Sequence, residues 1–211
     1  MERWRGMKHR IKRHIFIKEA FPLPMLYLSP SSQEFNPYVI GGNEEYYMNL
    51  LADEMEPWLR ASGIPFTRND PSQTAADFIR QSNQGDYGLH LALHSNASAP
   101  GQEGQNRGGV VFYDPRSSRG RRAAEIIANN LREIYPGPVQ TAATQSLGEV
   151  NRTRAPAVLV ELAYHDNPED AMWISANLPS IGENLASSVA EFFGTPMRSP
   201  WGQLQTRLGL D

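Results

Sequence analysis

Two residues have a chemistry at odds with the segments that carry them. Glu161 lies in PAVLVELAY and His94 in LHLALHSNAS, both apolar runs that read as buried strands. A buried carboxylate is costly unless it is paired, hydrogen-bonded or kept protonated. Two readings of Glu161 therefore stay open: a structural ion pair with Arg152 or Arg154, or a general base with a raised pKa. His94 shares its strand face with His90. Four residues at roughly 3.3 Å each put them about 13 Å apart, too far to share one metal ion without a bend. His90 reads as a core histidine. His94 stands where the strand breaks into Ser-Asn-Ala-Ser, with an open approach suited to a ligand. The chain has no Cys, so any metal site must use His, Asp, Glu or neutral oxygen donors.

These residues need a frame. Met25–Ser29, Ile64–Asn69, Leu89–His94, Gly109–Tyr113, Pro138–Ala142 and Ala157–Leu162 read as strands. Glu44 to about Ser62, Thr74–Asn83, Arg119–Tyr135, Pro168–Asn177 and Ser180–Phe193 read as helices. In the first helix Asn43 suits the N-cap, and Met48, Leu51, Ala52, Met55 and Leu59 form one apolar stripe. Glu45, three residues before Met48, reads on spacing alone as a first-turn carboxylate that favours the helix dipole. Pro57 is expected to kink this helix or end it early. Strands alternating with helices predict a single α/β domain, a mostly parallel twisted sheet with helices on both faces. In such sheets ligands bind at the carboxyl ends of the strands, where Ser29–Glu34, His94 and Glu161 all fall.

Size and charge bound the rest. The 211 residues, 40% of them hydrophobic, suffice for one sizeable core. The expected division is a basic leader over 1–24, a folded domain over 25–194 and a Pro- and Gly-punctuated tail over 195–211. A net charge of −3 argues against nucleic acid as the partner. No apolar stretch approaches the roughly 20 residues of a membrane span. The basic leader lacks an apolar core of export-signal type, so the expectation is synthesis in the cytoplasm and action elsewhere only after release.

Three stretches, taken together, resemble one known family. NEEYYMNLLADEMEPWLRASGIPFTRND, LALHSNASA and RAPAVLVELAYHDNPEDA look like the signature blocks of zinc-dependent N-acetylmuramoyl-L-alanine amidases of the amidase_3 type, in order and in register. A glutamate followed four residues later by Asn and an apolar residue is matched by Glu45, Asn49 and Leu50. His-x-Asn-Ala is matched by His94, Asn96 and Ala97, and the Pro-Ala-Val-Leu-Val-Glu strand by Pro156–Glu161. The resemblance implies a peptidoglycan hydrolase that cuts the amide between N-acetylmuramic acid and the L-alanine of the stem peptide. It implies Zn2+ held by Glu45 and His94, Glu161 as acid/base, and Asn96 at the substrate.

One block departs from the family. The usual first ligand is a histidine just after strand one, and here that turn reads LSPSSQEFN. Ser32 or Gln33 occupies about that place, with Gln33 able to offer a carbonyl oxygen and Glu34 close by. His165, four residues beyond Glu161, is the other candidate, as a metal ligand or an oxyanion donor. The expected function is therefore a zinc amidase of endolysin, sporulation or germination type, acting on muramyl peptide alone or with the basic leader as a weak anchor. The alternatives are a non-catalytic peptidoglycan-binding module that lost its metal with the histidine, and a zinc carboxypeptidase.

Overall fold

The computed structural model describes residues 24–202. The basic leader and the end of the tail lie outside the described residues. Six strands form one sheet in the order β2-β1-β3-β6-β4-β5, with β1 Met25–Pro30, β2 Phe66–Arg68, β3 Tyr87–Asn96, β4 Gly109–Tyr113, β5 Val139–Ala143 and β6 Ala157–Tyr164. The first four in that order run parallel. β4 lies antiparallel to β6, and β5 runs parallel to β4. The six helices are α1 Glu44–Ala61, α2 Ala75–Gln84, α3 Ser118–Ile134, α4 Gly148–Asn151, α5 Pro168–Ala176 and α6 Leu178–Phe193. The architecture is the expected α/β domain with a mostly parallel sheet. α4 and the reversed β4–β5 pair are additions to what the sequence pattern predicts.

Four of the six helices, α1, α2, α3 and α5, begin on a side-chain cap. Asn43 accepts the Tyr46 N–H at 2.8 Å ahead of α1. Thr74 and Asp77 form a reciprocal capping box on α2, and Asn167 caps α5 just before Pro168. Gly63 takes φ 70° beyond the end of α1, a left-handed turn that favours glycine. α1 runs through Pro57 rather than stopping at it. Pro57 faces solvent, so water can satisfy the carbonyl that the missing N–H leaves free.

The sheet separates two environments. Leu89, Leu91 and Leu93 of β3 and Val158, Val160 and Leu162 of β6 join the large core with α1, α3 and α6. The alternate residues face the other way, as a period of two requires. There Ala92 and Leu159 pack with Val150 in a second, small cluster. His90, His94 and Glu161 alternate with the large-core residues along the same two strands. His94 is paired in register with Glu161.

α1 and α6 approach closely at Gly182. A Cβ there would lie 2.7 Å from Glu54 Cβ and 3.0 Å from the Glu54 backbone. The described part of the tail has no helix or strand between Thr195 and Ser199, and Arg198 N donates to Ser62 Oγ at 2.9 Å.

Candidate active site

The carboxyl end of β3 delivers His94 into a ring of polar groups. Its Nδ1 lies 2.8 Å from Glu44 Oε1 and 3.1 Å from Gln33 Nε2. Its Nε2 lies 3.4 Å from Glu149 Oε2. Asn36 Nδ2 donates to Glu44 Oε2 at 2.6 Å and to Gln33 Oε1 at 2.9 Å, tying the loop after β1 to the start of α1. A cleft of about 400 Å³ opens beside this ring, lined by Ser31, Gln33, Phe35, Phe78, His94 and Glu149.

Glu44, not Glu45, reaches His94. Counting back along α1, Glu44 precedes Met48 by four residues, Leu51 by seven and Ala52 by eight, so it starts the buried stripe. It is 1% exposed. Glu45 is one residue, about 100°, further round the helix. It is half-buried beside Glu34, and partial burial with that like charge raises its pKa. Glu45, the zinc ligand that the resemblance implies, is thus not the carboxylate beside His94; Glu44 is, because the inward helix face decides. Asn49 serves to position the loop after β1. Its amide bridges the Ser31 carbonyl at 3.3 Å, and Arg68 Nη2 holds its Oδ1 at 2.8 Å.

Charge is strongly organised here. Burial opposes a charge on His94, but the hydrogen bonds to Glu149 and Glu44 outweigh it and lift its pKa to about 10. Burial also opposes ionisation of Glu44, yet its bonds to His94 and Asn36 keep its carboxyl below the usual range. Glu161 behaves the opposite way. Burial pushes it up to about 7, with His94 drawing it down and Glu44 pushing it further up. Its Oε2 is sealed from solvent and has no hydrogen-bond partner. Neither Arg152 nor Arg154 pairs with it, and Arg154 Nη1 is engaged by the Asn83 carbonyl at 3.2 Å.

The remaining expected residues lie elsewhere. His165 is buried, with Nδ1 at 3.1 Å from both Ser95 Oγ and the Ser95 carbonyl, and its ring stacks on Tyr38 at 5.4 Å. The structure gives it no contact with the His94 ring of groups. Asn96 ends β3, and its Oδ1 accepts the Ala97 N–H at 2.9 Å. His90 is fully buried between Ser82 Oγ at 3.0 Å and Glu149 Oε1 at 3.1 Å, as a core histidine should be. Glu149 carries no signal in the sequence. It sits in the four-residue α4 within a polar stretch, and no periodicity points to it.

The family model for N-acetylmuramoyl-L-alanine amidases, Amidase_3, matches residues 36–191. The chain belongs to this family. Solved structures agree on the fold. The catalytic domain of CwlV, an amidase of Bacillus (Paenibacillus) polymyxa, superposes with a TM-score of 0.70 at 11% identity, covering 82% of this chain and 100% of that one. The amidase AmiC2 of Nostoc punctiforme gives 0.69 at 14% identity, over 81% and 97%. The catalytic domain of the CD27L endolysin, which targets Clostridia difficile, gives 0.62 at 21% identity, over 80% and 97%. A search of curated proteins finds no significant match. Membership supports an amidase acting on peptidoglycan, and within that family Glu44, His94 and Glu161 are the groups this chain brings to one place.

Amidases of this family generally use zinc, so the donor set has to be tested. Among the described residues no three His, Cys, Asp or Glu side chains converge as a metal site. The polar atoms nearest His94 Nδ1 come from Glu44 and Gln33, and they conflict. If Nδ1 donates to Glu44, the Gln33 N–H faces a second donor. If it accepts from Gln33, its lone pair faces a carboxylate. One imidazole and one carboxylate suit zinc chemically. Gln33 does not complete the set as it stands, since it turns its Nε2 to His94 while its Oε1 accepts from Asn36.

Proposed function

We propose that this chain hydrolyses the amide between N-acetylmuramic acid and the first L-alanine of the peptidoglycan stem, working at the cell wall after its release from the cell that makes it. The residues that would hold zinc are Glu44 and His94, with Gln33 joining them if its carboxamide turned its oxygen inward. When bound, zinc would polarise the amide carbonyl and acidify a water molecule.

The observation that carries this reading is Glu161. It is a carboxylate with one sealed, unpartnered oxygen and a pKa of about 7, next in register to His94. A base is most effective when its pKa lies near the working pH. Glu161 takes a proton from the attacking water as the new C–O bond forms at the carbonyl carbon. It then returns that proton to the leaving nitrogen as the C–N bond breaks. The products are the lactyl carboxylate and a stem peptide with a free N-terminal alanine. Gln33, Asn36 and Asn49 hold the β1 loop against α1, which keeps the Glu44 carboxylate aimed at His94.

Purified sacculi incubated with the zinc-loaded chain should release whole stems with N-terminal L-alanine, and a chelator should stop the release. Cleavage within the stem would point instead to a peptidase. Gln33 in the first-ligand position favours one other reading, a binding module without turnover. Sacculus binding with no stem release, in protein shown to carry zinc, would establish it.

A further inference from the structure

The pole of the sheet opposite His94 carries an arginine cluster. Arg116 lies in the loop after β4, and Arg119, Arg121 and Arg122 in the first turns of α3. Arg152 and Arg154 lie between α4 and β6, and all six are exposed. Tyr87 begins β3 at this pole, about 23 Å along the strand from His94. Arg116 grips Asp114 through Nε and Nη2, at 2.9 and 2.5 Å. Among the described residues the other five form no ion pair. Arg119 and Arg122 stand over the Phe192 ring at 5.7 and 5.5 Å, and Arg121 over Tyr113 at 5.5 Å. Arg154 Nη1 donates to the Asn83 carbonyl at 3.2 Å. A guanidinium has five N–H donors, so these contacts leave most of them unused.

Two recesses adjoin at this pole. The first, of about 300 Å³, is walled by Arg116, Arg119 and Arg154 together with Ser117, Ser118 and Thr153. Its carboxylate, Asp114, is the one that Arg116 already neutralises. The second, of about 220 Å³, shares Arg119 and Arg154 with the first and adds Asp86. Guanidinium forks match the paired oxygens of a phosphate, and hydroxyls supply further donors. A carboxylate such as Asp86 repels a second phosphate but accepts from an alcohol O–H.

We propose that this arginine pole binds a polyol-phosphate polymer of the cell wall, with one phosphate between Arg116, Arg119 and Arg154 and the neighbouring polyol hydroxyls against Asp86. The alternation of phosphate and alcohol in such a chain matches the alternation of the two recesses. A continuous polyanion such as polyphosphate would set a second charge against Asp86. A lipid surface fits less well, because none of the exposed large hydrophobic side chains lines either recess and nothing here would enter a bilayer. The choice of a wall polymer rests on the proposed action at the wall, whereas the binding itself needs no turnover. The two poles are far enough apart for the polymer to tether the protein while the cleft beside His94 holds a muramyl peptide.

Titration of the full chain with poly(glycerol phosphate) at several salt concentrations tests this. The double variant Arg119→Gln/Arg154→Gln should bind roughly tenfold more weakly than wild type and with a shallower salt dependence, since fewer counterions are released. Far-UV circular dichroism should be unchanged. The basic leader is the same in both proteins, so equal affinity in the folded double variant overturns the inference and gives the binding to the leader. Tighter wild-type binding to phosphatidylglycerol vesicles, DNA or polyphosphate than to poly(glycerol phosphate) overturns it as well. If the double variant fails to fold, Arg154→Gln alone is compared with wild type in the same way. Arginine-dependent binding in a wild type that releases no stems upholds this site and removes the amidase reading instead.

Discussion

Asp170 and Glu161 are both carboxylates set into the protein interior, and they are treated in opposite ways. Asp170 is fully buried and every side of it is satisfied. Its Oδ1 accepts from Tyr135 OH at 2.7 Å and Arg107 Nε at 2.9 Å. Its Oδ2 accepts from the Gly108 and Tyr164 backbone N–H groups, each at 3.1 Å. It ties β4, β6, α3 and α5 together around one charge. Glu161 has no such shell, and its Oε2 meets nothing. A buried carboxylate left without hydrogen bonds keeps a raised pKa, as Glu161 does. The difference separates a carboxylate built into the frame from one free to take the role proposed for Glu161.

Substitution can break or sharpen that contrast. The largest effect should come from Glu161→Gln, which is expected to lower stem release by roughly 10³-fold while circular dichroism and zinc content stay as in wild type. Near-normal turnover in that variant would sink the acid/base assignment. Asp170→Ala should act on stability instead, costing about 3–5 kcal/mol because Arg107 and two backbone donors lose their acceptor. Thermal unfolding reads this, and activity per folded molecule should change little. A folded Asp170→Ala protein without activity would dissolve the distinction.

A smaller effect concerns pH. Between the ordinary glutamate pKa of 4.5 and about 7, folded Glu161 keeps a proton that the unfolded chain has released. Stability of the metal-free protein should therefore fall as pH rises through that window, by about 1–3 kcal/mol. His94 contributes its own loss from 6.5 up to about 10, since its folded pKa is raised. Only the difference between wild type and Glu161→Gln isolates Glu161. Parallel stability curves for the two proteins from pH 4.5 to 7 would count against a raised pKa. The smallest effect should be that of Glu45→Gln, with activity and zinc affinity within about twofold of wild type, as for a partly exposed side chain away from the chemistry. A large loss of zinc affinity in that variant would give the proposed ligand role to Glu45 in place of Glu44.

The parts of this site that the sequence reveals are those where local pattern and chemistry disagree. His94 and Glu161 each interrupt an apolar strand, and such an interruption is visible without any partner. The order of elements is legible for the same reason, since the periods of helix and strand are local. Strand direction is not local. Nothing in GVVFY says whether it lies parallel or antiparallel to β6, so the reversed pair has no sequence signature. The choice between Glu44 and Glu45 is in the sequence: the stripe through Met48, Leu51, Ala52 and Met55 extends back to Glu44, and a motif match at Glu45 masks it. Glu149 has no local signal at all. Its partners Ser29, His90 and His94 lie 120, 59 and 55 residues away, and only the folded sheet brings them together.

The close seat of α1 on α6 at Gly182 sets a mechanical tolerance. Glu44 stands at the free end of α1, about 15 Å along the rod from the Glu54–Met55 turn that rests on Gly182. A methyl group at position 182 would press on backbone, 3.0 Å from Glu54 C and 3.2 Å from Met55 N, with no flexible side chain to yield. A stiff lever passes such a push to its tip, and a 1 Å error at a reacting centre can cost about 10²-fold in rate. The aim of Glu44 is thus calibrated by a hydrogen atom of Gly182, set against its own helix about three turns further along.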